Sequence, residues 1–304
     1  MRLVPLVAVA AVVAATIGVS TQERFSFFHP SSPESVERML TLVELRDDDV
    51  VIDLGSGDGL IPLTAARMNP RLRGQGVDID PKLVKESNAR AVKAGVGDRV
   101  RFEHRNAFDV DLREATVVTM WLFPELMRLL RPVILERARP GTRVVTSTWD
   151  LGTWKPDKVD GMEPSIYLWI VPARVAGGWN WDLTVSGKKI SYGAVLEQNF
   201  QVIEGSARAG DRREVLTTPT LRGADIAFTL NITLEGVGLT THEFSGKVDG
   251  DQIVGTAKLS STKLEALTLP WRARRTKEPR YFAPTGTTLF KPPAPLSGLD
   301  ARPQ

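Results

Sequence analysis

The sequence predicts an α/β protein built on a doubly wound, mostly parallel sheet, followed by a small antiparallel all-β domain. Residues 32–172 alternate continuous apolar runs with segments of helical periodicity, the pattern of a parallel sheet with helices on both faces. After Pro172 the helical periodicity ends, and apolar residues recur at every second position between turn signals. We therefore expect an α/β domain over residues 21–173 and a β domain over residues 174–275.

The α/β domain is expected to begin with a helix and to contain six strands. Ser32 followed by Pro33 is typical of a helix N-terminus. The apolar runs that predict strands are 50–54, 76–79, 99–104, 115–122, 142–149 and 165–173. Further helices are expected after the first strand, from Pro81 to Gly95, and over residues 125–139.

The β domain is expected to be an antiparallel meander, over about residues 179–274, that curls into a small barrel or sandwich. Apolar residues alternate over 196–202 and 226–232. Turn signals stand at 186–187, 209–211, 222–225 and 249–251, each with a glycine, which tolerates the left-handed conformations of tight hairpins. His242 is expected on the surface of a strand. Residues 276–304 are rich in proline and lack periodicity, so we expect an irregular tail.

The first twenty residues differ in kind from the rest of the chain. An uncharged run from Leu3 to Val19 follows Arg2, and small residues follow the run. This pattern is typical of a signal peptide, and its length also reaches the lower limit for a membrane-spanning helix. We therefore expect residues 1–20 to be a signal peptide or a membrane anchor, and the protein to be membrane-associated or exported. The sequence leaves the side of the membrane open.

The composition excludes several functional classes. The formal net charge is +3, which is too small to predict a surface for nucleic acid. The sequence contains no cysteine, which excludes disulfide frameworks, zinc–thiolate sites and iron–sulfur clusters. We therefore predict neither a metal site nor a nucleic-acid partner.

The strongest local signal is a glycine-rich loop directly after the first predicted strand. It contains Asp53, Gly55, Ser56, Gly57, Asp58 and Gly59. Glycines at alternate positions let the backbone turn sharply and approach a ligand that a Cβ atom would repel. The spacing does not fit the dinucleotide fingerprint, whose sixth position is glycine but here is Leu60, and the Gly-Lys-Ser/Thr ending of a P-loop is missing. The loop therefore predicts a cofactor that is bound by backbone and carboxylates rather than through phosphates.

Two further positions extend this predicted cofactor site. Asp78, beside Ile79 at the end of the second strand, stands where a carboxylate can accept hydrogen bonds from two ribose hydroxyls. Asp80 is the alternative ribose ligand, because it lies only two residues further on. Asn106 and Ala107 follow the third strand and are placed to meet an adenine ring.

Together these residues resemble the glycine-rich motif, the ribose acid and the adenine-side motif of the Rossmann-like class I S-adenosylmethionine-dependent methyltransferases. Further segments resemble a bacterial subgroup related to the lysine methyltransferases of the ATP-synthase c-subunit type: 115–120, Trp121-Leu122-Phe123-Pro124, 130–132, 140–145 and 154–157. The resemblance covers residues 30–157 and implies S-adenosyl-L-methionine as the cofactor. It also implies a seven-stranded sheet, so we expect the β domain to lend the missing strand. It suggests a protein lysine as the methyl acceptor, while a small molecule stays open.

The acceptor side of the crevice is less defined by the sequence. Trp121 and Asp150, at the ends of the fourth and fifth strands, are expected to face it, although core packing explains Trp121 equally well. We identify no general base. Two functional hypotheses follow: a methyltransferase whose β domain selects or docks the acceptor, and a non-catalytic binding protein whose β domain binds a partner while the crevice is vestigial. The intact glycine loop and Asp78 favour the enzyme.

Overall fold

The computed structural model describes residues 30–262 and 264–277. They form two sheets, one of seven strands in the N-terminal half and one of nine strands in the C-terminal half. The predictions for the leader (1–20) and for residues 278–304 of the tail lie outside the described residues. Within the described ranges, no helix is long and apolar enough to cross a membrane.

The N-terminal half alternates strands and helices, as the sequence predicts. Its helices are α1 (Pro33–Leu42), α2 (Leu60–Met68), α3 (Pro81–Lys93) and α4 (Pro124–Arg137). Its strands are β1 (Val50–Leu54), β2 (Arg73–Asp78), β3 (Val100–His104), β4 (Val117–Met120), β5 (Arg143–Ser147), β6 (Lys158–Val159) and β7 (Ile166–Ile170). A 3-10 turn, Ala107–Asp109, lies between β3 and β4.

Local side-chain caps explain where two of these helices begin. Ser32 caps α1, because its Oγ accepts a hydrogen bond from Ser35 N at 3.2 Å. Asp80 caps α3 in the same way by accepting from Lys82 N at 2.9 Å, and Pro81 takes the first helical position. Both caps fix helix ends that lie at the edge of the sheet where the candidate site is found.

The seven-stranded sheet has the order β3-β2-β1-β4-β5-β7-β6. Strands β1 to β5 are parallel to one another, and β7 is antiparallel to both of its neighbours, β5 and β6. The doubly wound, Rossmann-like fold is thus confirmed, and its strand order reverses between β1 and β4. The seventh strand is β6, so the expectation that the β domain lends a strand is wrong. Strand β6 forms only two residue pairs with β7, Lys158 with Leu168 and Val159 with Tyr167. A strand of two residues is too short to give a periodic signal in the sequence.

The C-terminal half is a nearly closed antiparallel barrel. Its strands are β8 (Gly177–Val185), β9 (Lys188–Asn199), β10 (Val202–Ala209), β11 (Arg212–Val215), β12 (Thr217–Arg222), β13 (Asp225–Leu234), β14 (Gly238–Asp249), β15 (Gln252–Ser261) and β16 (Leu264–Thr276). Strand β16 pairs with both β15 and β8, which joins two meanders into one sheet. The all-β prediction is confirmed, and the four predicted glycine turns connect β8–β9, β10–β11, β12–β13 and β14–β15.

Two expectations about this half are wrong. Residues 196–202 are not one strand, because the chain turns between β9 and β10, where Phe200 has a positive φ of 55°. The sequence shows no glycine, proline or aspartate at this turn. His242 is not on the surface either, since it is fully buried in the barrel beside Tyr192 and Phe244. Burial lowers the pKa of His242 to about 4.

Candidate active site

The carboxyl ends of β1, β2, β4 and β5 border a cavity of about 710 Å³. Ligands bind at this edge of a doubly wound sheet, next to the point where the strand order reverses. Every residue of the predicted site except Gly59 and Asp150 lines the cavity: Asp53, Gly55, Ser56, Gly57, Asp58, Asp78, Ile79, Asn106, Ala107 and Trp121. Residues from four separate stretches of the chain therefore meet at one site.

The glycine loop runs close to its neighbours, and this explains two of its glycines. Gly55 has a φ of +78°, and a Cβ atom there would lie 2.5 Å from Leu122 Cδ2, so a larger residue does not fit without displacing that side chain. Its backbone N donates to Val77 O at 2.9 Å. Gly59 precedes α2 with a φ of +80°, and a Cβ atom would lie 2.7 Å from Phe102 Cζ. Gly59 therefore allows the start of α2 to pack against Phe102 of β3, whereas Gly55 borders the cavity.

Asp78 is held in place by backbone amides on both of its carboxylate oxygens. Its Oδ2 accepts from Gly57 N at 2.8 Å, and its Oδ1 accepts from Asp80 N at 2.9 Å. Each oxygen keeps a further lone pair for a ligand in the cavity. The Asp80 carboxylate, by contrast, is engaged in capping α3 through Lys82 N. This geometry favours Asp78 over Asp80 as the group that meets ribose hydroxyls.

Asp53, at the end of β1, is a buried acid on the cavity wall. It is 1% exposed, and its Oδ1 accepts from Thr119 Oγ1 at 2.7 Å. Burial raises the pKa of Asp53 to about 7; the Thr119 hydrogen bond opposes this, and the charges of Asp78 and Asp58 add to it. Its Oδ2 is buried without a hydrogen-bond partner among the described residues. Leaving a buried carboxylate oxygen unpaired is costly, and a proton or a donor group of a ligand would relieve that cost.

The charged residues of the cavity favour a cationic ligand. The acidic lining residues are Asp53, Asp58, Asp78 and Asp80, and the basic one is Arg105. Asp58 is partly neutralised, because Arg90 Nη1 lies 2.7 Å from its Oδ2. The remaining carboxylates leave an excess of negative charge, which attracts cations into a low-dielectric cleft. A sulfonium cofactor fits this lining, and the unpaired Asp53 Oδ2 is suited to its cationic donor groups.

The wall predicted to meet adenine is formed by the 3-10 turn after β3. Asn106 caps this turn, because its Oδ1 accepts from Phe108 N at 3.0 Å. The cap places Ala107 and Phe108 along the cavity, which Ile79 also lines. Such an apolar wall suits the face of a purine ring.

Aromatic residues form the mouth of the cavity. Phe123 is 45% and Trp149 is 38% exposed, although both line the cavity. Their rings stack with centroids 6.0 Å apart and planes at 28°. Trp121 also lines the cavity, and it packs partly against the core. It is therefore both a cavity residue and a core residue, the two alternatives that the sequence leaves open.

The sequence does not identify Phe123 and Trp149 as site residues. Phe123 belongs to a motif that carries the family resemblance, so its position is a signal for it. Trp149 ends a predicted strand, and nothing else in the sequence distinguishes it.

Asp150 does not line the cavity. Its Oδ1 accepts a hydrogen bond from Gly152 N at 2.9 Å in the turn that follows β5. The strand ends at Ser147, and Thr148 then adopts a φ of +74°, which turns the chain before Asp150 is reached. Thr148 and Trp149 line the cavity instead. The structure therefore does not support Asp150 as a substrate-pocket residue.

A doubly wound sheet, an acid ending the neighbouring strand and a glycine loop whose spacing departs from the dinucleotide fingerprint fit the class of S-adenosylmethionine-dependent methyltransferases. The family model of the ANTKMT methyltransferase domain matches residues 53–158. The chain is 37% identical over 147 residues to a protein-lysine N-methyltransferase of Saccharolobus islandicus (strain REY15A), covering 47% of this chain and 91% of that protein. The chain belongs to this methyltransferase family, and S-adenosyl-L-methionine is its cofactor.

Two further similarities extend the comparison. The chain is 34% identical over 173 residues to the adenine nucleotide translocase lysine N-methyltransferase of Mus musculus, covering 57% of this chain and 72% of that protein. It is also similar to the crystal structure of an RNA methyltransferase from Salinibacter ruber in complex with S-adenosyl-L-homocysteine, with 42% identity, a TM-score of 0.47, and coverage of 48% of this chain and 96% of that chain. The resemblance to lysine methyltransferases of the c-subunit type is confirmed, and the chain is an enzyme rather than a non-catalytic binding protein. That the β domain selects or docks the acceptor stays a prediction. The matched domain ends at residue 158, before the barrel begins.

Proposed function

We propose that this enzyme methylates the side-chain amine of a lysine in a protein. The observation that carries the proposal is the aromatic mouth of an acidic cavity. A lysine side chain is long, unbranched and cationic, so its alkyl stem suits a passage between rings and its amine suits a negatively charged interior. The relatives named as protein-lysine and adenine nucleotide translocase lysine methyltransferases support the same acceptor class.

The residues that would hold the cofactor divide into three groups. The Asp78 carboxylate would accept hydrogen bonds from the ribose hydroxyls. Ile79, Asn106 and Ala107 would border the adenine. The backbone from Gly55 to Gly57 and the Oδ2 atom of Asp53 would meet the amino-acid end. Bound S-adenosyl-L-methionine supplies a methyl group on a positively charged sulfur, and the protein's contribution is to position the acceptor in line with it.

The aromatic mouth would also prepare the acceptor amine. A lysine amine has an ordinary pKa of about 10.4 and enters as an ammonium ion without a free lone pair. The exposed faces of Phe123 and Trp149 can attract this cation at the rim. Deeper insertion removes water from the amine and brings it towards the positive charge of the bound cofactor, and both effects lower its pKa against the opposing effect of the cavity carboxylates. The amine becomes the neutral, nucleophilic form once its proton has passed to water.

The test is transfer of labelled methyl groups from S-adenosyl-L-methionine to proteins of a cell extract, followed by acid hydrolysis and separation of methylated lysines. We expect label in methyl-lysine, and we expect Phe123→Ala and Trp149→Ala to raise the acceptor KM by roughly fivefold or more. Leu129→Ala is the matched control, because Leu129 is an exposed apolar residue outside the cavity lining. Label that is released by nuclease, or that is found only in small molecules, would contradict a lysine acceptor.

A further inference from the structure

The wall of the cavity that carries Trp149 begins with a strained turn. Trp149 N donates to Ser147 O at 2.9 Å, which closes a γ-turn with Thr148 at its centre. Thr148 has a φ of +74°, and the γ-turn with positive φ is the rare and strained form, especially for a β-branched residue. A strained turn persists only where its surroundings fix it. The turn itself is held by Thr148 N, which donates to Ser165 O at 2.9 Å, and by Thr146 Oγ1, which donates to Trp149 O at 2.6 Å. The segment that this turn begins, residues 148–157, has further support.

This segment, the acceptor-side loop (148–157), is contacted by side chains of the barrel. The Trp154 side chain is fully buried, and its Nε1 donates to Gln201 Oε1 at 2.9 Å. In return, Gln201 Nε2 donates to Lys155 O at 2.7 Å. The ring of Phe200 stacks on the ring of Trp154 with centroids 5.9 Å apart and planes at 16°. The turn between β9 and β10 thus contacts the loop through a stacked ring pair and through two hydrogen bonds of the Gln201 side-chain amide, which we call the amide clamp.

The conformation of the β9–β10 turn indicates that it is shaped for this contact. Phe200 has a φ of 55°, where hairpins that only connect two strands favour glycine or asparagine. Its ring also lies 5.5 Å from the guanidinium of Arg131. The same Arg131 donates through Nη1 to Leu151 O at 2.7 Å and to Thr153 Oγ1 at 3.1 Å. One arginine on α4 therefore contacts both the loop and the ring that stacks on it.

We propose that the β9–β10 turn of the barrel is a positioning element for the acceptor side of the active site. Phe200 and Gln201 do not line the cavity; they act through Trp154 and the acceptor-side loop, which places Thr148 and Trp149 at the mouth. The barrel thereby sets the affinity for the acceptor without contributing to the cofactor site. The proposal rests on the proposed function only in the choice of lysine as the acceptor probe.

The test combines Phe200→Asn with Gln201→Ala in the full chain. Asparagine tolerates the left-handed conformation, so the hairpin is kept while the ring and the amide clamp are removed. Two controls are matched to this variant. Phe200→Tyr keeps the stacked ring, and Val202→Ser changes an exposed residue of the same hairpin. Three quantities are measured: hydrogen exchange of amides in residues 148–157, affinity for S-adenosylhomocysteine, and the KM and kcat for methylation of poly-L-lysine.

We expect the double variant to exchange amides of the acceptor-side loop about tenfold faster, because a buried hydrogen bond and a ring stack are lost. We expect its S-adenosylhomocysteine affinity to stay within about twofold of wild type, its KM for poly-L-lysine to rise about tenfold, and both controls to behave as wild type. Unchanged loop exchange, or an equal loss of S-adenosylhomocysteine affinity, would overturn the positioning role. An unchanged acceptor KM in a variant whose loop exchanges faster would also overturn it. If wild type does not methylate poly-L-lysine, the KM is measured on the extract proteins that it does label. Label in an acceptor other than lysine defeats the proposed function, whereas the positioning role is still decided by loop exchange and by the KM for that acceptor.

Discussion

Each half of the molecule buries a titratable group that has no charged partner among the described residues, and the two groups are of opposite kinds. The α/β half buries an acid, Asp53, on the wall of its cavity, whereas the barrel buries a base, His242, among aromatic rings. Within these residues, Asp53 keeps one carboxylate oxygen unpaired, which costs stability. The barrel also buries unpaired polar atoms, the indole nitrogens of Trp181 and Trp271. The two halves therefore differ in where such a group lies, because Asp53 borders the cofactor cavity whereas the two indoles lie in the barrel core.

Asp53 and His242 make opposite contributions to the pH dependence of stability. Burial raises the pKa of Asp53 above its ordinary value of 3.8 to about 7, so the folded state holds a proton that the unfolded state has released. Stability from this group is highest below pH 4 and falls as the pH rises to about 7. Burial lowers the pKa of His242 from 6.5 to about 4, although a backbone hydrogen bond with Leu230 opposes the shift. Stability from His242 is present above pH 6.5 and is lost as the pH falls towards 4.

The largest effect is expected from separating the two halves. We expect a fragment of residues 21–177, which ends as β8 begins, to bind S-adenosylmethionine and to lose acceptor methylation. It retains the cavity, but the acceptor-side loop loses Phe200 and Gln201 of the barrel. Binding calorimetry and a methyl-transfer assay on the fragment are the measurements. An unfolded fragment would show that the halves share a core, and a fragment with the full methylation rate would show that the barrel is dispensable.

The next largest effect concerns the buried acid. The shift of Asp53 from 3.8 to about 7 corresponds to roughly 4 kcal/mol of stability lost between pH 4 and pH 7. We expect Asp53→Asn to remove this dependence and to be more stable than wild type at pH 8, because its amide oxygen can still accept from Thr119. Denaturant unfolding across this pH range checks it, with the difference between the two proteins isolating Asp53. Parallel pH curves for wild type and variant would show that Asp53 ionises as an ordinary acid.

A somewhat smaller effect of opposite sign is expected in the barrel. The lowered pKa of His242 corresponds to about 3 kcal/mol of stability lost as the pH falls from 6.5 to 4. We expect His242→Leu to flatten this loss, since leucine carries no proton-binding site. Hydrogen exchange of barrel amides at pH 4.5 and pH 7.5, corrected for the intrinsic exchange rate at each pH, is the measurement, and the same amides of the wild-type barrel are the reference. The idea fails if acid destabilises the variant barrel as much as the wild-type barrel.

The comparison also explains what could be predicted from the sequence. The glycine loop, the Ser32 cap and the hairpin glycines are local signals, because each residue type is required by the backbone at its own position. The cofactor side of the cavity consists mostly of such signals, and its residues were found together. The acceptor side depends on contacts between distant residues. The turns at Thr148 and Phe200 use residues that are disfavoured there. The Thr148 turn is held by hydrogen bonds to Ser165 O and from Thr146 Oγ1, and the Phe200 ring packs on Trp154.

The smallest effect is expected at the ribose acid, and it should be confined to the α/β half. Asp78→Ala removes the acceptor for Gly57 N and Asp80 N and would leave two ribose hydroxyls unpaired. We expect a loss of about 1–3 kcal/mol in the binding of S-adenosylhomocysteine, or roughly 5–150-fold in affinity, with unchanged exchange of barrel amides. Asp80→Ala is the matched control, because it removes the cap of α3 and should lower stability by about 1 kcal/mol with little effect on affinity. Calorimetry on the two folded variants compares them. If Asp80→Ala weakens binding more than Asp78→Ala does, the ribose ligand is Asp80. If neither variant changes the affinity, the ribose does not bind at the carboxyl end of β2.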